Sequence, residues 1–178
     1  QSLSILMLGR DDRGFLYAMQ DNDLYRFDLG KTPYVPVRFR SGFYPHSIVS
    51  DGSVVWIGAR TGLYRLEQDT LQLVYGGDFR DRRNIKCVTR DTAGNIWFGS
   101  HQQLGRLHPV TGQLDTFPSL QGGDTRALAT IRGRVFAGTY GRGWHVSDEG
   151  RFAGMPAGRN DALSNVHTFV EDSRGYVW

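Results

Sequence analysis

Short runs in which apolar and polar residues alternate recur along the whole chain, separated by breaks that contain glycine. Alternation with a period of two is typical of β-strands, because successive side chains of a strand point to opposite faces. Breaks such as Pro109-Val-Thr-Gly112 suit the tight turns of hairpins. No segment shows the 3.6-residue period of an amphipathic helix. The pattern therefore predicts an all-β protein.

Aromatic residues mark a repeat of about 40 residues. The aligned positions are Tyr17, Trp56, Trp97, Phe136 and Trp178, at intervals of 39, 41, 39 and 42 residues. Two positions later, on the same face of the strand, stand Gly58, Gly99 and Gly138, with Met19 in the first repeat. A large ring beside a position without a side chain favours close packing between neighbouring sheets.

Two polar positions keep the same register in most repeats. An aspartate opens a turn six residues before three of the aromatic residues and five before Trp56; these are Asp11, Asp91, Asp172 and Asp51. Nine residues after the aromatic residue stand Arg26, Arg65 and Arg106, with His145 in the fourth repeat. We expect the aspartates to cap turns and the arginines to bridge to turn carbonyls or to these aspartates.

Each repeat predicts a four-stranded antiparallel meander, and such a unit of about 40 residues is typical of a β-propeller blade. The predicted blades cover approximately residues 3–40, 45–80, 85–120 and 125–160, with a partial fifth at 165–178. Either four blades close with the last segment as a clasp, or further blades lie outside this chain. We favour the second alternative, an incomplete propeller within a longer protein.

Composition and the absence of known motifs argue against several classes of function. The net charge is +3, but the basic residues lie scattered among acids, even in Arg80-Asp-Arg-Arg83, so no nucleic-acid partner is expected. Cys87 is the single cysteine and is predicted to be an inert core residue. The five histidines lack zinc-site spacing, Asp21-Asn-Asp23 lacks the glycine and glutamate of a calcium loop, and no phosphate or dinucleotide motif occurs. We therefore expect no metal and no cofactor.

Candidate ligand-binding residues are predicted at one end of the sheets. Turns between second and third strands share this end with the links between blades, and flat aromatic rings mixed with Arg, Asn and Gln suit polar ligands such as sugars or carboxylates. Solvated loops have a similar composition, so the alternative that these residues only form a solvated surface remains open beside the ligand-binding hypothesis. The predicted residues are Tyr44, His46, Arg60, Arg83, His101, Gln102, Tyr140 and Arg142, with Arg82, Asn84, Asn160 and Asn165 on the same face.

The segment Asp91-Thr-Ala-Gly-Asn-Ile-Trp-Phe-Gly-Ser100, together with Val55-Trp-Ile-Gly-Ala-Arg-Thr-Gly-Leu-Tyr-Arg-Leu66, resembles the two-component regulator propeller repeat. This resemblance implies a seven-bladed propeller in the periplasmic sensor region of a bacterial histidine kinase or diguanylate cyclase. It implies a non-catalytic module that receives a signal. Some members of the family respond to oligosaccharides, and the expected partner is an oligosaccharide or another small polar ligand, which the repeat residues themselves do not specify. Propellers of this kind can pair, so a homodimer is a further expectation, and membrane attachment would come only through the parent protein.

The third repeat, with Leu104-Gly-Arg-Leu107 and Thr111-Gly112, is also similar to streptogramin-lyase propellers. Those proteins are magnesium-dependent enzymes, and their chemistry needs an acidic side chain close to a histidine. His167 near Glu171 and Asp172 is the candidate in this sequence, although both acids belong to the repeated turn. A lyase-like enzyme and a protein-interaction scaffold remain alternatives to the sensor.

Overall fold

The computed structural model describes residues 5–20, 22–39, 42–76, 84–101, 103–117, 124–148, 151–154 and 165–178. In these ranges the chain forms four antiparallel sheets of four strands each, and the strands of every sheet follow one another in sequence order. The predicted all-β architecture of four-stranded units is therefore confirmed. Within the described ranges, no helix is long and apolar enough to cross a membrane.

The sheets have the following strands. The first contains β1 (Ile5–Arg10), β2 (Phe15–Gln20), β3 (Asp23–Asp28) and β4 (Val37–Phe39). The second contains β5 (Pro45–Asp51), β6 (Val54–Ala59), β7 (Gly62–Glu67) and β8 (Thr70–Gly76). The third contains β9 (Cys87–Arg90), β10 (Ile96–Gly99), β11 (Leu104–Leu107) and β12 (Leu114–Phe117). The fourth contains β13 (Asp124–Ile131), β14 (Arg134–Tyr140), β15 (Trp144–Asp148) and β16 (Arg151–Gly154).

The chain divides into two compact units, Gln1–Ile85 and Lys86–Trp178. The core of the first unit contains Tyr17, Met19, Leu24, Val55 and Ile57. In the second unit Trp97 and Leu104 of the third sheet pack with Val135 and Ala137 of the fourth, with Phe117, Leu128 and Phe152 at the border. The core of each unit is thus formed where two successive sheets meet.

The repeated aspartate is the centre of a hydrogen-bond network that joins a turn to the aromatic residue. In the third sheet Asp91 accepts hydrogen bonds from the backbone N–H groups of Ala93 and Asn95 and from Nε1 of Trp97, the last at 2.8 Å. Asp11 accepts a bond from the Tyr17 hydroxyl and Asp172 accepts one from Nε1 of Trp178 in the same way. The carboxylate therefore fixes the turn and the ring together.

The second sheet differs because its turn is one residue shorter. Asp51 stands five residues before Trp56, whereas Asp91 stands six before Trp97. Trp56 is buried like Trp97, but among the described residues its Nε1 has no hydrogen-bond partner. We attribute the missing bond to the shortened turn, which leaves the carboxylate out of reach of the indole.

The repeated arginine stands directly opposite the repeated aromatic residue on the next strand. The strand registers pair Tyr17 with Arg26, Trp56 with Arg65 and Trp97 with Arg106. The acidic partners of the three arginines are Asp69, Glu67 and Asp115 respectively. The arginines therefore form ion pairs with these residues and not with the repeated turn aspartates. In the third sheet the Arg106 guanidinium also lies 5.2 Å from the centre of the Trp97 ring.

The expectation that His145 takes the arginine position in the fourth repeat is wrong. His145 pairs with Ala137, and Val146 stands opposite Phe136. The cause is the turn between β14 and β15, which is one residue longer than its counterpart between β10 and β11. Burial, followed by the nearby Arg142 charge, lowers the pKa of His145, and among the described residues its Nε2 has no partner.

Acid is expected to weaken the turn network of Asp91. Burial alone would raise the pKa of Asp91, but the hydrogen bonds from Trp97, Asn95 and the backbone outweigh it, and the pKa lies below its ordinary value. The stabilisation by Asp91 is therefore complete above the unfolded pKa of about 3.9 and is lost as the pH falls through the lower folded pKa. Urea unfolding should show Asp91→Asn less stable than the wild type by about 1–2 kcal/mol at pH 7, with the gap closing near pH 2. A gap that stays constant with pH would contradict this assignment.

Candidate functional site

The candidate site is defined by three positions that recur at one end of the sheets. Gly58, Gly99 and Gly138 pair with Ser47, Cys87 and Ala127 on the first strands of their sheets. We define three entry positions in each of these repeats. The first is three residues before the partner of the glycine, the second is one residue before that partner, and the third is two residues after the glycine itself. They are Tyr44, His46 and Arg60 in the second repeat, Asn84, Lys86 and His101 in the third, and Asp124, Arg126 and Tyr140 in the fourth.

Backbone hydrogen bonds hold the entry positions in place. The residue between the first two positions donates its N–H to the preceding repeat, Ile85 to Ala59 and Thr125 to Ser100. In the fifth repeat Val166, between Asn165 and His167, donates to Thr139 in the same way. At Pro45 and Thr125 the strand register shifts before the next pair. Such bulges change the direction of a side chain relative to the regular pleat. His46 and Arg126 lie at these irregularities.

In the second unit the entry positions meet around a buried carboxylate. The side chain of Asp124 is 8% exposed, and its Oδ2 accepts bonds from Nζ of Lys86 at 2.5 Å and from Nε of Arg126 at 2.9 Å. Its Oδ1 lies 3.8 Å from Nδ1 of His101. Tyr140 stands directly opposite Asp124 in the strand register. We call Lys86, His101, Asp124, Arg126 and Tyr140 the Asp124 cluster.

The two cations keep Asp124 ionised. Burial alone would raise the pKa of this carboxyl, but the bonds and charges of Lys86 and Arg126 outweigh the burial, and the pKa lies below its ordinary value. Oδ1 nevertheless is buried and, among the described residues, accepts no hydrogen bond. A charged oxygen without a donor is costly in a protein interior, so Oδ1 is an acceptor whose hydrogen-bonding capacity is unfilled.

An aromatic ring lies at the border of the Asp124 cluster. Tyr140 is 53% exposed, and the Arg126 guanidinium lies 4.6 Å from the centre of its ring. Asn165 pairs with Tyr140 across an isolated bridge and accepts the Gly141 N–H at 2.9 Å. Asn165 thus fixes the backbone at this position, while the Tyr140 ring lies beside the Arg126 guanidinium and presents surface to solvent.

The first unit contains a related pair. The N–H of Arg60 donates to the carbonyl of Tyr44 at 3.0 Å, and the Arg60 guanidinium lies 5.5 Å from the centre of the Tyr44 ring. Tyr44 has a left-handed backbone with φ of 52°, which turns the chain into β5. His46 is exposed beside it. The structure thus brings Tyr44 and Arg60 together, as it does His101 and Tyr140 with the Asp124 cluster.

The remaining predicted residues are distributed differently. Arg142 is exposed on the turn between β14 and β15. Asn84 is half-buried, and its Oδ1 has no partner among the described residues. Four of the predicted residues lie outside the described part of the chain: Arg82, Arg83, Gln102 and Asn160.

Sequence reasoning missed Lys86, Asp124 and Arg126. The available signal was their distance from the repeated glycine, because the strand register places the entry positions at fixed offsets from it. Lys86 and Arg126 are one residue before the partner of the glycine, where the second and fifth repeats have His46 and His167. A basic residue thus occupies this position in four repeats.

The two acidic residues of the lyase candidate, Glu171 and Asp172, are engaged in structural contacts, and His167 is exposed. Glu171 accepts a bond from Nε of Arg132 at 2.7 Å, and Asp172 caps the turn that precedes Trp178. In the described part of the chain, no three His, Cys, Asp or Glu side chains are grouped so that they could hold a metal ion.

The first unit also contains a cavity of about 580 Å³ at the turn between β3 and β4. Its lining includes Phe15, Arg26, Lys31, Pro33 and Val35. Arg26 forms an ion pair with Asp69, and Lys31 forms one with Asp28 at 3.0 Å. The cations of this cavity are therefore already neutralised by acidic neighbours.

No protein-family model and no curated protein sequence matches the chain. Among solved structures, virginiamycin B lyase from Staphylococcus aureus is similar with a TM-score of 0.80 and 14% identity, over 100% of this chain and 63% of the lyase. The extracellular domain of a hybrid two-component system from B. thetaiotaomicron is similar with a TM-score of 0.76 and 16% identity, over 100% of this chain and 27% of that one. The Swd1 propeller domain of Myceliophteria thermophila gives a TM-score of 0.65 and 14% identity over 87% of this chain and 58% of its own. The chain spans less than two thirds of each, and its four sheets have the fold of a partial β-propeller.

Proposed function

We propose that this chain is part of the extracytoplasmic, periplasmic propeller of a bacterial sensor, in which a small polar ligand binds at the Asp124 cluster. The signalling output would belong to a kinase or cyclase domain of the same polypeptide. The carrying observation is the Asp124 cluster, in which a buried carboxylate oxygen without a donor lies beside two cations and an exposed ring. The similarity to a sensor extracellular domain supports the choice of function.

The chemistry of the Asp124 cluster suits sugars. A sugar presents hydroxyl groups that both donate and accept hydrogen bonds, and the C–H groups of one ring face can pack on an aromatic surface. Asp124 supplies an acceptor, Lys86 and Arg126 supply donors, and Tyr140 supplies the surface. Binding would alter signalling only through a higher affinity for one of two arrangements of the sensor.

Replacing Tyr140 by alanine should weaken oligosaccharide binding about tenfold or more, because the exposed ring is the largest apolar contact that the site offers. A panel of neutral and acidic plant oligosaccharides, titrated calorimetrically into the chain and into the variant, measures the effect. Tyr176→Ala is the matched control, because Tyr176 is a comparably exposed tyrosine of the same unit near the Asp172 turn. The control should bind as the wild type does.

Other results would overturn the proposal. Failure of every oligosaccharide to bind, or equal losses in the two tyrosine variants, would contradict a sugar site at the Asp124 cluster. Breakdown of a bound compound only in the presence of magnesium would favour the lyase-like enzyme. Stable recovery of one defined protein, with no oligosaccharide bound, would favour the interaction scaffold.

A further inference from the structure

We propose that the Asp124 cluster binds the carboxylate of an acidic sugar, so that the ligand is a uronic-acid oligosaccharide and not a neutral one. This inference rests on the proposed function and adds the class of ligand to it. Its evidence is the charge balance of the cluster, the unused donors of Arg126, and the pattern of the entry positions across the repeats.

The charge balance favours an anion. Lys86 and Arg126 each carry one positive charge, and the ionised Asp124 carries one negative charge, so the three together have a net charge of +1. The side chains of Lys86 and Arg126 are 26% and 37% exposed, and a ligand can therefore reach both. Partial burial makes their attraction for an anion stronger than it would be at an open surface.

Arg126 has donors left for the ligand. Its Nε is bonded to Asp124, whereas its two terminal nitrogens form no hydrogen bond or ion pair with the residues that the structure describes. The Tyr140 ring beneath the guanidinium and the bond from Nε hold its orientation. A guanidinium fixed in this way presents parallel N–H groups, which match the two oxygens of a carboxylate.

Asp124 supplies the second half of the recognition. Its Oδ1 needs a donor, and a carboxylate ligand alone would not provide one. A uronic acid carries hydroxyl groups on the same ring as its carboxylate, so it offers a donor to Oδ1 and acceptors to Arg126 and Lys86 together. A neutral sugar would satisfy Oδ1 but would leave the excess positive charge without a counter-charge.

The side chains at the entry positions differ more from repeat to repeat than the side chains at the turn aspartate and aromatic positions do. The turn aspartate and its bond to the aromatic residue recur in the first and third sheets and before Trp178, because these segments form the same turn. The first entry position is Tyr44, Asn84 and Asp124 in three repeats, and the third is Arg60, His101 and Tyr140. Positions that stay polar but change identity at one sheet end are not explained by shared packing, and in the second unit His101, Asp124 and Tyr140 fit contacts to one ligand.

The test compares two ligands with the same sugar backbone, one with ionised carboxylates and one in which every carboxylate is a neutral methyl ester. Trigalacturonic acid and its fully methyl-esterified form are titrated calorimetrically into the wild-type chain and into Arg126→Gln. We expect the acid to bind the wild type at least tenfold more tightly than the ester, and this preference to weaken with added salt. In Arg126→Gln the acid and the ester should bind with nearly equal affinity.

Arg174→Gln is the matched control, because it removes the same charge from an exposed arginine near the Asp172 turn. It should keep the preference for the acid. Arg126→Lys retains the charge without the planar fork, so it decides the question if Arg126→Gln fails to fold; it should keep the salt dependence and lose part of the affinity.

The outcomes separate the two proposals. Equal binding of acid and ester to the wild type, or binding of neutral oligosaccharides alone, would overturn the acidic-sugar inference and leave the sensor proposal standing. Equal losses of affinity for the acid in Arg126→Gln and Arg174→Gln would show that the acid does not bind at the Asp124 cluster. If no oligosaccharide of either kind binds, both proposals are overturned.

Discussion

Replacing Trp97 by alanine should lower the free energy of unfolding of the chain by about 3–5 kcal/mol. Trp97 is 2% exposed and packs between its own sheet and the next, with ring centres 4.9 Å from Phe117 and 5.4 Å from Phe152. Alanine leaves a cavity where two sheets meet and also removes the bond from Nε1 to Asp91. Chemical denaturation of the wild type and the variant at neutral pH measures the loss.

Trp178→Ala is the control, because Trp178 makes the same type of bond to its turn aspartate but is 74% exposed in this chain. Its replacement should change the free energy of unfolding by less than about 1 kcal/mol. A loss below 1 kcal/mol for Trp97→Ala would show that this ring does not form the packing between the two sheets.

Replacing Gly99 by alanine should destabilise the chain by about 2–3 kcal/mol through overpacking. A Cβ atom at this position would lie 2.6 Å from Sγ of Cys87 and 2.6 Å from a methyl group of Thr125. Both neighbours are themselves buried, at 6% and 0% exposure, so neither can move aside freely. Denaturant unfolding at neutral pH again measures the effect.

Gly30→Ala serves as the comparison for overpacking. Gly30 is exposed, and within 4 Å its added Cβ would meet only the side-chain carboxylate of Asp28, at 3.3 Å. We expect a change of less than about 0.5 kcal/mol there. Similar effects at the two glycines would mean that the close approach at Gly99 is not what excludes a side chain.

The fold could be predicted because packing and turn formation repeat themselves along the chain. Trp97, Gly99 and Asp91 satisfy demands that are local to one sheet and its neighbour, so each demand leaves a visible period in the sequence. His145 shows the limit of this argument. One additional turn residue shifted its register, and a count from the aromatic residue could not reveal the shift.

The candidate site was only partly predictable for a different physical reason. Turn position alone placed His101 and Tyr140 at the sheet end where Asp124 also lies. Arg126 is two residues from Asp124, but Lys86 is 38 residues away and belongs to the preceding sheet segment. Only the contact between neighbouring sheets brings Lys86 to Asp124, and no sequence period reports such a contact.

Most repeats therefore have one end at which the same side chains recur and one end at which the side chains vary. The turn aspartates and the arginines opposite the aromatic residues keep the sheets stable, while the entry positions at the other end carry changing side chains. Separation of this kind makes the repeat a unit of evolution. A duplicated sheet keeps its stability while three positions change, so new specificity can be acquired one repeat at a time, and a protein engineer can follow the same route.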